Sequence, residues 1–192
     1  SLLEKGITEI DPSLKQVFRL RRLKDESAVS LSYVFSIIGD MWEMASACVV
    51  ITDTYSIPVS CLSHKKDLKI VQIWHAMGAV KMFSLQSAGK AQGRDLGVAN
   101  AMCMHKNYDV VLAPSQATAD IYCKAFGCKT ENIKILSLPR VDVILDDNNK
   151  REEFLKLNPE YINKKIVVYA PTFRNNDDVY AQRLVEAASL QS

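Results

Sequence analysis

The stretch Lys69-Ile-Val-Gln-Ile-Trp-His-Ala-Met-Gly-Ala-Val-Lys81 decides how this chain is read. An apolar, β-prone run ends abruptly in a histidine, followed by a loop of small residues and a lysine. A parallel strand delivers a reactive group to the edge of an α/β sheet in this way, and open sheets of that kind bind ligands outside the carboxyl ends of their strands. The arrangement points to chemistry on an anionic substrate.

Outward from this stretch, comparable runs recur. The spacing predicts strands over 16–21, 48–52, 69–74, 110–113, 133–137 and 165–170, short and rich in Val and Ile as buried parallel strands are. Helices fit over 2–9, 40–47, 96–106, 115–126 and 150–157, and the Ser-rich segment 27–39 suits either a helix or a loop. Strands alternating with helices predict an α/β fold, a Rossmann-like doubly wound parallel sheet. The polar run Asp146-Asp-Asn-Asn-Lys150 and the fresh apolar run after Lys164 suggest either that a second domain begins late in the chain or that this last strand completes the first sheet.

At 192 residues, 48% apolar and 24% charged, the composition is that of an ordinary globular chain, and a formal charge of +2 with no long Lys/Arg run gives no support to nucleic-acid binding. Anion recognition must be local. No apolar stretch reaches the roughly 18 to 20 residues that span a bilayer. Lys15, Arg19, Arg21, Arg22 and Lys24 cluster near the start, as either a solvated basic edge or a patch that lies against a membrane. The five cysteines, Cys48, Cys61, Cys103, Cys123 and Cys128, contain no CxxC pair, and no signal peptide is evident. They read as buried or half-buried free thiols in a reducing cytosol. No carboxylate or histidine cluster has metal-ligand spacing.

His75 stands at a predicted strand end, where an imidazole, which titrates near neutrality, could take a proton from an attacking hydroxyl. A hydrogen-bonded structural histidine fits the spacing as well. His64 and His105 are flanked by lysines and read as surface residues. The loop after His75 lacks GxGxxG and GxxxxGK[ST] patterns, which removes dinucleotide binding and P-loop hydrolysis. Lys81 could supply charge to an anion or simply be solvated. Tyr108-Asp-Val-Val-Leu-Ala-Pro-Ser115 carries a strand into a helix N-terminus, with Ser115 either an N-cap or part of a phosphate site. In Leu138-Pro-Arg-Val-Asp142, Pro139 starts a helix and Arg140 could fork onto a phosphate or pair with Asp142.

Taken in order, Ala45-Ser-Ala-Cys-Val-Val-Ile-Thr-Asp53, Gln72-Ile-Trp-His75, Leu112-Ala-Pro-Ser115, Ala125-Phe126, Pro139-Arg-Val-Asp142 and Tyr169-Ala-Pro-Thr-Phe-Arg174 resemble the CDP-glycerol glycerophosphotransferase family, the teichoic acid primases and polymerases. The resemblance implies a GT-B architecture of two Rossmann-like domains. Residues 1–163 would be most of the N-terminal, acceptor-side domain, with its first strand missing. Residues 164–192 would start, or cross over to, a C-terminal nucleotide-binding domain that is largely absent, which leaves the donor site incomplete.

The resemblance further implies that a polyol phosphate passes from CDP-glycerol or CDP-ribitol to a hydroxyl of a lipid-linked or polymer acceptor, releasing CMP in cell-wall polymer synthesis. No cofactor beyond that donor substrate is expected, and no metal. His75 matches the histidine that acts as base in the family. Lys81, Ser115, Arg140 and Arg174 are the candidate anion-binding residues. The enzyme would be cytoplasmic, working on the inner face of the bacterial membrane. Family members continue after the histidine with Gly-Thr-Pro and a lysine, whereas Ala76-Met-Gly-Ala-Val-Lys81 follows here, so the polyol and acceptor stay open. A GT-B nucleotide-sugar transferase and a non-catalytic binding domain are the alternatives.

Overall fold

The computed structural model describes residues 2–20, 31–91, 93–145 and 150–168. The chain divides into two compact units, Ser1–Asp146 and Asp147–Ser192. In the first, helices α1 (Leu2–Ile10) and α2 (Leu31–Ser46) precede strand β1 (Val49–Thr52) and the short α3 (Ile57–Cys61). Strand β2 (Lys69–Gln72), α4 (Leu96–Ala101), β3 (Val110–Ala113), α5 (Gln116–Phe126), β4 (Ile133–Ile135) and α6 (Pro139–Leu145) follow. The second unit holds α7 (Lys150–Leu157), which is followed by a 3₁₀ turn that brings Tyr161 within 5.8 Å of Phe154, ring to ring.

Among the described residues the strands form one parallel sheet in the order β1-β2-β3-β4. Val49 pairs with Lys69, Val71 with Val110 and Val111 with Ile133. The parallel α/β sheet expected from sequence is therefore present, and its strands are the Val/Ile runs because such residues suit a pleated strand. Buried positions fall in β2 and β3, while β1 and β4 hold none, contrary to the expectation of buried strands. Ile70, Val111 and Ala113 join Val59, Leu68, Tyr108, Tyr122 and Phe126 in the core. At the amino ends, Asp109 fastens three strands. Its carboxylate accepts the Ile70 N–H at 2.8 Å, and its carbonyl accepts Asn132 Nδ2 at 2.9 Å.

Local chemistry sets the helix limits. Asp95 caps α4 by accepting the Val98 N–H at 2.9 Å. Gly127 ends α5 in the left-handed conformation, φ 60°, its N–H returned to the Cys123 carbonyl. The helix expected over 96–106 stops at Ala101 because Cys103, His105 and Asn107 all take positive φ, which an α-helix cannot continue.

Other expectations need correction. Residues 16–20 form no strand: Gln16 turns back onto α1, its Nε2 2.9 Å from Thr8 Oγ1, and Phe18 and Leu20 stay exposed, with no strand beside them among the described residues. Residue 21 lies outside the described residues. Residues 165–168 likewise form no strand and are exposed, and 169–170 lie outside the described residues. The segment 27–39 is helical from Leu31. All five cysteines are free, but Cys48 and Cys61 are exposed rather than buried. No described helix is long and apolar enough to cross a membrane.

Candidate active site

Strand β2 ends at Gln72, two residues sooner than its apolar run, because Trp74 takes φ 52°. A bulky residue in the left-handed region carries roughly 1–3 kcal/mol of strain and persists only where its surroundings hold it. Here the indole stacks on Phe83 at 5.0 Å and meets Phe126 edge-on at 5.2 Å. The Trp74 N–H donates to Gln72 Oε1 at 2.8 Å. The turn throws His75 outward at the carboxyl edge of the sheet.

His75 is exposed, and its ring lies 4.0 Å from that of Trp74. Its Nδ1 is 2.9 Å from the carbonyl oxygen of Asp53, just past the end of β1. A carbonyl can only accept, so Nδ1 carries the proton and Nε2 keeps its lone pair facing away from the backbone. An imidazole held in this tautomer is suited to take a proton from a substrate hydroxyl. The following loop is fixed by Tyr122, whose hydroxyl donates to the Ala76 carbonyl at 2.9 Å.

Beneath this loop lies a buried polar chain. Gln72, fully buried, donates through Nε2 to the Thr54 carbonyl at 3.2 Å and to the Tyr108 hydroxyl at 3.0 Å. The Tyr108 hydroxyl is 2.9 Å from His105 Nδ1. Burial pushes the Tyr108 phenol up to about 12. Burial, with the Arg94 charge nearby, holds His105 down at about 4, so it is neutral and accepts the Tyr108 proton. His105 is only 3% exposed, boxed by Tyr55, Trp74 and Phe126. It is not the surface residue its lysine-flanked sequence suggests. His64 is half-buried and bonds the Val59 carbonyl through Nε2 at 2.6 Å.

Lys81 is exposed on the loop that follows His75. Ser115 is the N-cap of α5, its N–H donating to Thr118 Oγ1 at 3.3 Å while the Thr118 hydroxyl donates to the Ser115 carbonyl at 2.8 Å. Arg140 sits in the first turn of α6, just after β4. These positions thus follow the carboxyl ends of β2, β3 and β4 in turn, although among the described residues no hydrogen bond joins His75, Lys81 and Ser115. Arg174 lies outside the described residues. Among those residues no group of three His, Cys, Asp or Glu could hold a metal ion.

Sequence reasoning missed Gln72, Tyr108, His105 and Arg94. Gln72 left a signal: it shares the inward register of its strand with the apolar Ile70, where a polar side chain must find partners. Arg94, 5.5 Å above the Tyr55 ring, left none.

Comparison with known proteins places the chain in a family. Residues 2–192 match the profile of the family described as CDP-Glycerol:Poly(glycerophosphate) glycerophosphotransferase. The chain is 28% identical to the teichoic acid ribitol-phosphate primase of Bacillus spizizenii over 86% of its own length and 43% of the relative's. It is 31% identical to the teichoic acid glycerol-phosphate primase of Bacillus subtilis over 72% of its length and 36% of that relative's. It spans about two fifths of the length of these curated relatives. The structure of the wall teichoic acid polymerase TagF superposes with a TM-score of 0.61 over 91% of this chain and 44% of that one, at 19% identity, a likeness of fold.

Proposed function

Because the chain belongs to the CDP-Glycerol:Poly(glycerophosphate) glycerophosphotransferase family, we propose that it forms the acceptor-side part of an enzyme that moves a polyol phosphate from a CDP-polyol to an acceptor hydroxyl. The observation that carries this reading is His75. Its Nδ1–H is committed to the Asp53 carbonyl at the carboxyl edge of a parallel sheet, which leaves Nε2 free. In the reaction, His75 Nε2 takes the acceptor hydroxyl proton as the oxygen bonds to the β-phosphorus of the donor. The bond from that phosphorus to the bridging oxygen breaks, and CMP leaves with the electron pair.

Phosphoryl transfer is governed mainly by positioning and charge neutralisation. Lys81 and Arg140 supply positive charge to the phosphates, the α5 N-terminus at Ser115 offers backbone N–H groups, and Arg174 adds a further cation. The acceptor is lipid-linked or polymeric, in teichoic acid or related cell-wall polymer synthesis. The protein works in the cytoplasm on the inner membrane face. Supporting that placement, Leu31, Phe35, Ile38 and Trp42 lie on one stripe of α2 and are at least half exposed, and Arg19 pairs at 3.0 Å with Asp40 of the same helix. Replacing Phe35 and Trp42 by serine should weaken sedimentation with anionic vesicles, and unchanged binding would remove the membrane from this reading.

The deciding experiment is CMP release from CDP-glycerol and CDP-ribitol with a membrane-fraction acceptor, using the full native chain and its His75→Ala variant. One acid–base group typically contributes roughly 10² to 10⁴ in rate, and a loss of that size is expected. Release unaffected by the substitution would refute the role of His75, and no release from either form would redirect the search to another donor.

A further inference from the structure

The clamp that aims His75 is built from a residue with no other evident task. Gln72 is fully buried on the inward register of β2, where an apolar side chain would be the ordinary occupant. Its carboxamide orientation is fixed by partners of fixed role. The Trp74 N–H can only donate, so Oε1 faces it at 2.8 Å, and the Thr54 carbonyl can only accept, so Nε2 faces it at 3.2 Å. Trp74 immediately precedes His75, and Thr54 immediately follows Asp53, whose carbonyl holds the imidazole. One side chain therefore grips both backbone segments that set the position and tautomer of His75.

The other bonds around Gln72 make the grip rigid. The Thr54 carbonyl also accepts the Thr52 hydroxyl at 2.8 Å, which closes the 52–54 turn. The second Nε2 proton goes to Tyr108, whose own proton is drawn to the neutral, buried His105. Rotating the amide would set its oxygen against the Thr54 carbonyl and its NH₂ against the Trp74 N–H, so only one orientation satisfies all the groups.

We infer that Gln72 is a positioning residue for proton transfer: its carboxamide bridges Trp74 and Thr54, and so holds the His75 imidazole with Nε2 aimed at the acceptor hydroxyl. This rests on the reading of His75 as the base. Gln72 touches no substrate, so its loss misplaces the base without altering the grip on the donor.

The test is a double-mutant cycle on CMP release by the full native chain, with Gln72→Met, His75→Ala and the pair. Methionine keeps the volume and removes the polar grip. Gln72→Met should lower kcat about 10- to 100-fold, the range that misplacing a reacting group by about an ångström produces, with KM for the CDP-polyol nearly unchanged. Added to His75→Ala it should cost nothing further, because the group it aims is gone. An unchanged kcat, or a loss that multiplies onto that of His75→Ala, overturns the role of Gln72 and leaves that of His75 standing. Full activity in His75→Ala alone, or no CMP release from the native chain, overturns both.

If Gln72→Met fails to fold, Gln72→Glu replaces it. A protonated carboxyl reproduces the donor and acceptor pair, whereas a carboxylate repels the Thr54 carbonyl. Its kcat should then fall with rising pH relative to the wild type, and a pH profile parallel to the wild type's overturns the inference.

Discussion

Protonating His105 should destabilise the fold by an amount the structure sets. The ring is 3% exposed, its Nδ1 faces the Tyr108 hydroxyl, and the remaining neighbours are the rings of Tyr55, Trp74 and Phe126 with the Arg94 charge nearby. Burial first, and that charge second, hold it at about 4 against an ordinary 6.5. Between these values the unfolded chain binds the proton and the folded chain does not. Stability is therefore complete above about pH 6.5, declines as pH falls towards about 4, and is insensitive to this group below that. At about 1.4 kcal/mol per pH unit, the gap amounts to about 3 kcal/mol. Urea unfolding of the wild type and of His105→Gln across this range isolates the effect, since the carboxylates titrate in both proteins. The wild type should lose about 3 kcal/mol more than the variant between neutral pH and about pH 4. Parallel profiles would refute the assignment of a neutral, buried imidazole.

Gly127→Ala should destabilise the chain by about 1–2 kcal/mol in urea, because a Cβ at φ 60° strains the α5 cap and meets Leu85 Cδ1 at 2.9 Å. Tyr122→Phe removes the hydroxyl that holds the Ala76 carbonyl. It should cost about 1 kcal/mol by thermal unfolding and speed amide hydrogen exchange in the loop that carries Gly78.

Much of the sheet was legible from the chain because its strands read as Val/Ile runs bounded by polar turns, although only the central β2 and β3 hold buried residues. β3 coincides with its expected span, and β1, β2 and β4 fall within theirs. The same signal misled where, among the described residues, an apolar run has no strand beside it, as at Val17 and Phe18 or Ile166 and Val167, since apolar content alone cannot supply a strand partner. α3 went unseen because five residues carry too little period to detect. His105 was misread for a related reason. Its lysine neighbour describes the local chain, whereas its burial depends on Tyr55, from the segment after β1, and on Phe126, from α5.

The sequence by itself determined the alternation of strand and helix, and with it the fact that His75, Lys81, Ser115 and Arg140 all follow strand ends. That information is local and survives in a single chain. Only the tertiary structure decided which nitrogen of His75 is free, because that rests on the Asp53 carbonyl 22 residues away. It also decided that Gln72 finds Tyr108 across 36 residues and that Tyr122 finds Ala76 across 46. Such pairings come from strands and helices closing on one another, and a hydrogen bond's direction exists only once both partners are in place.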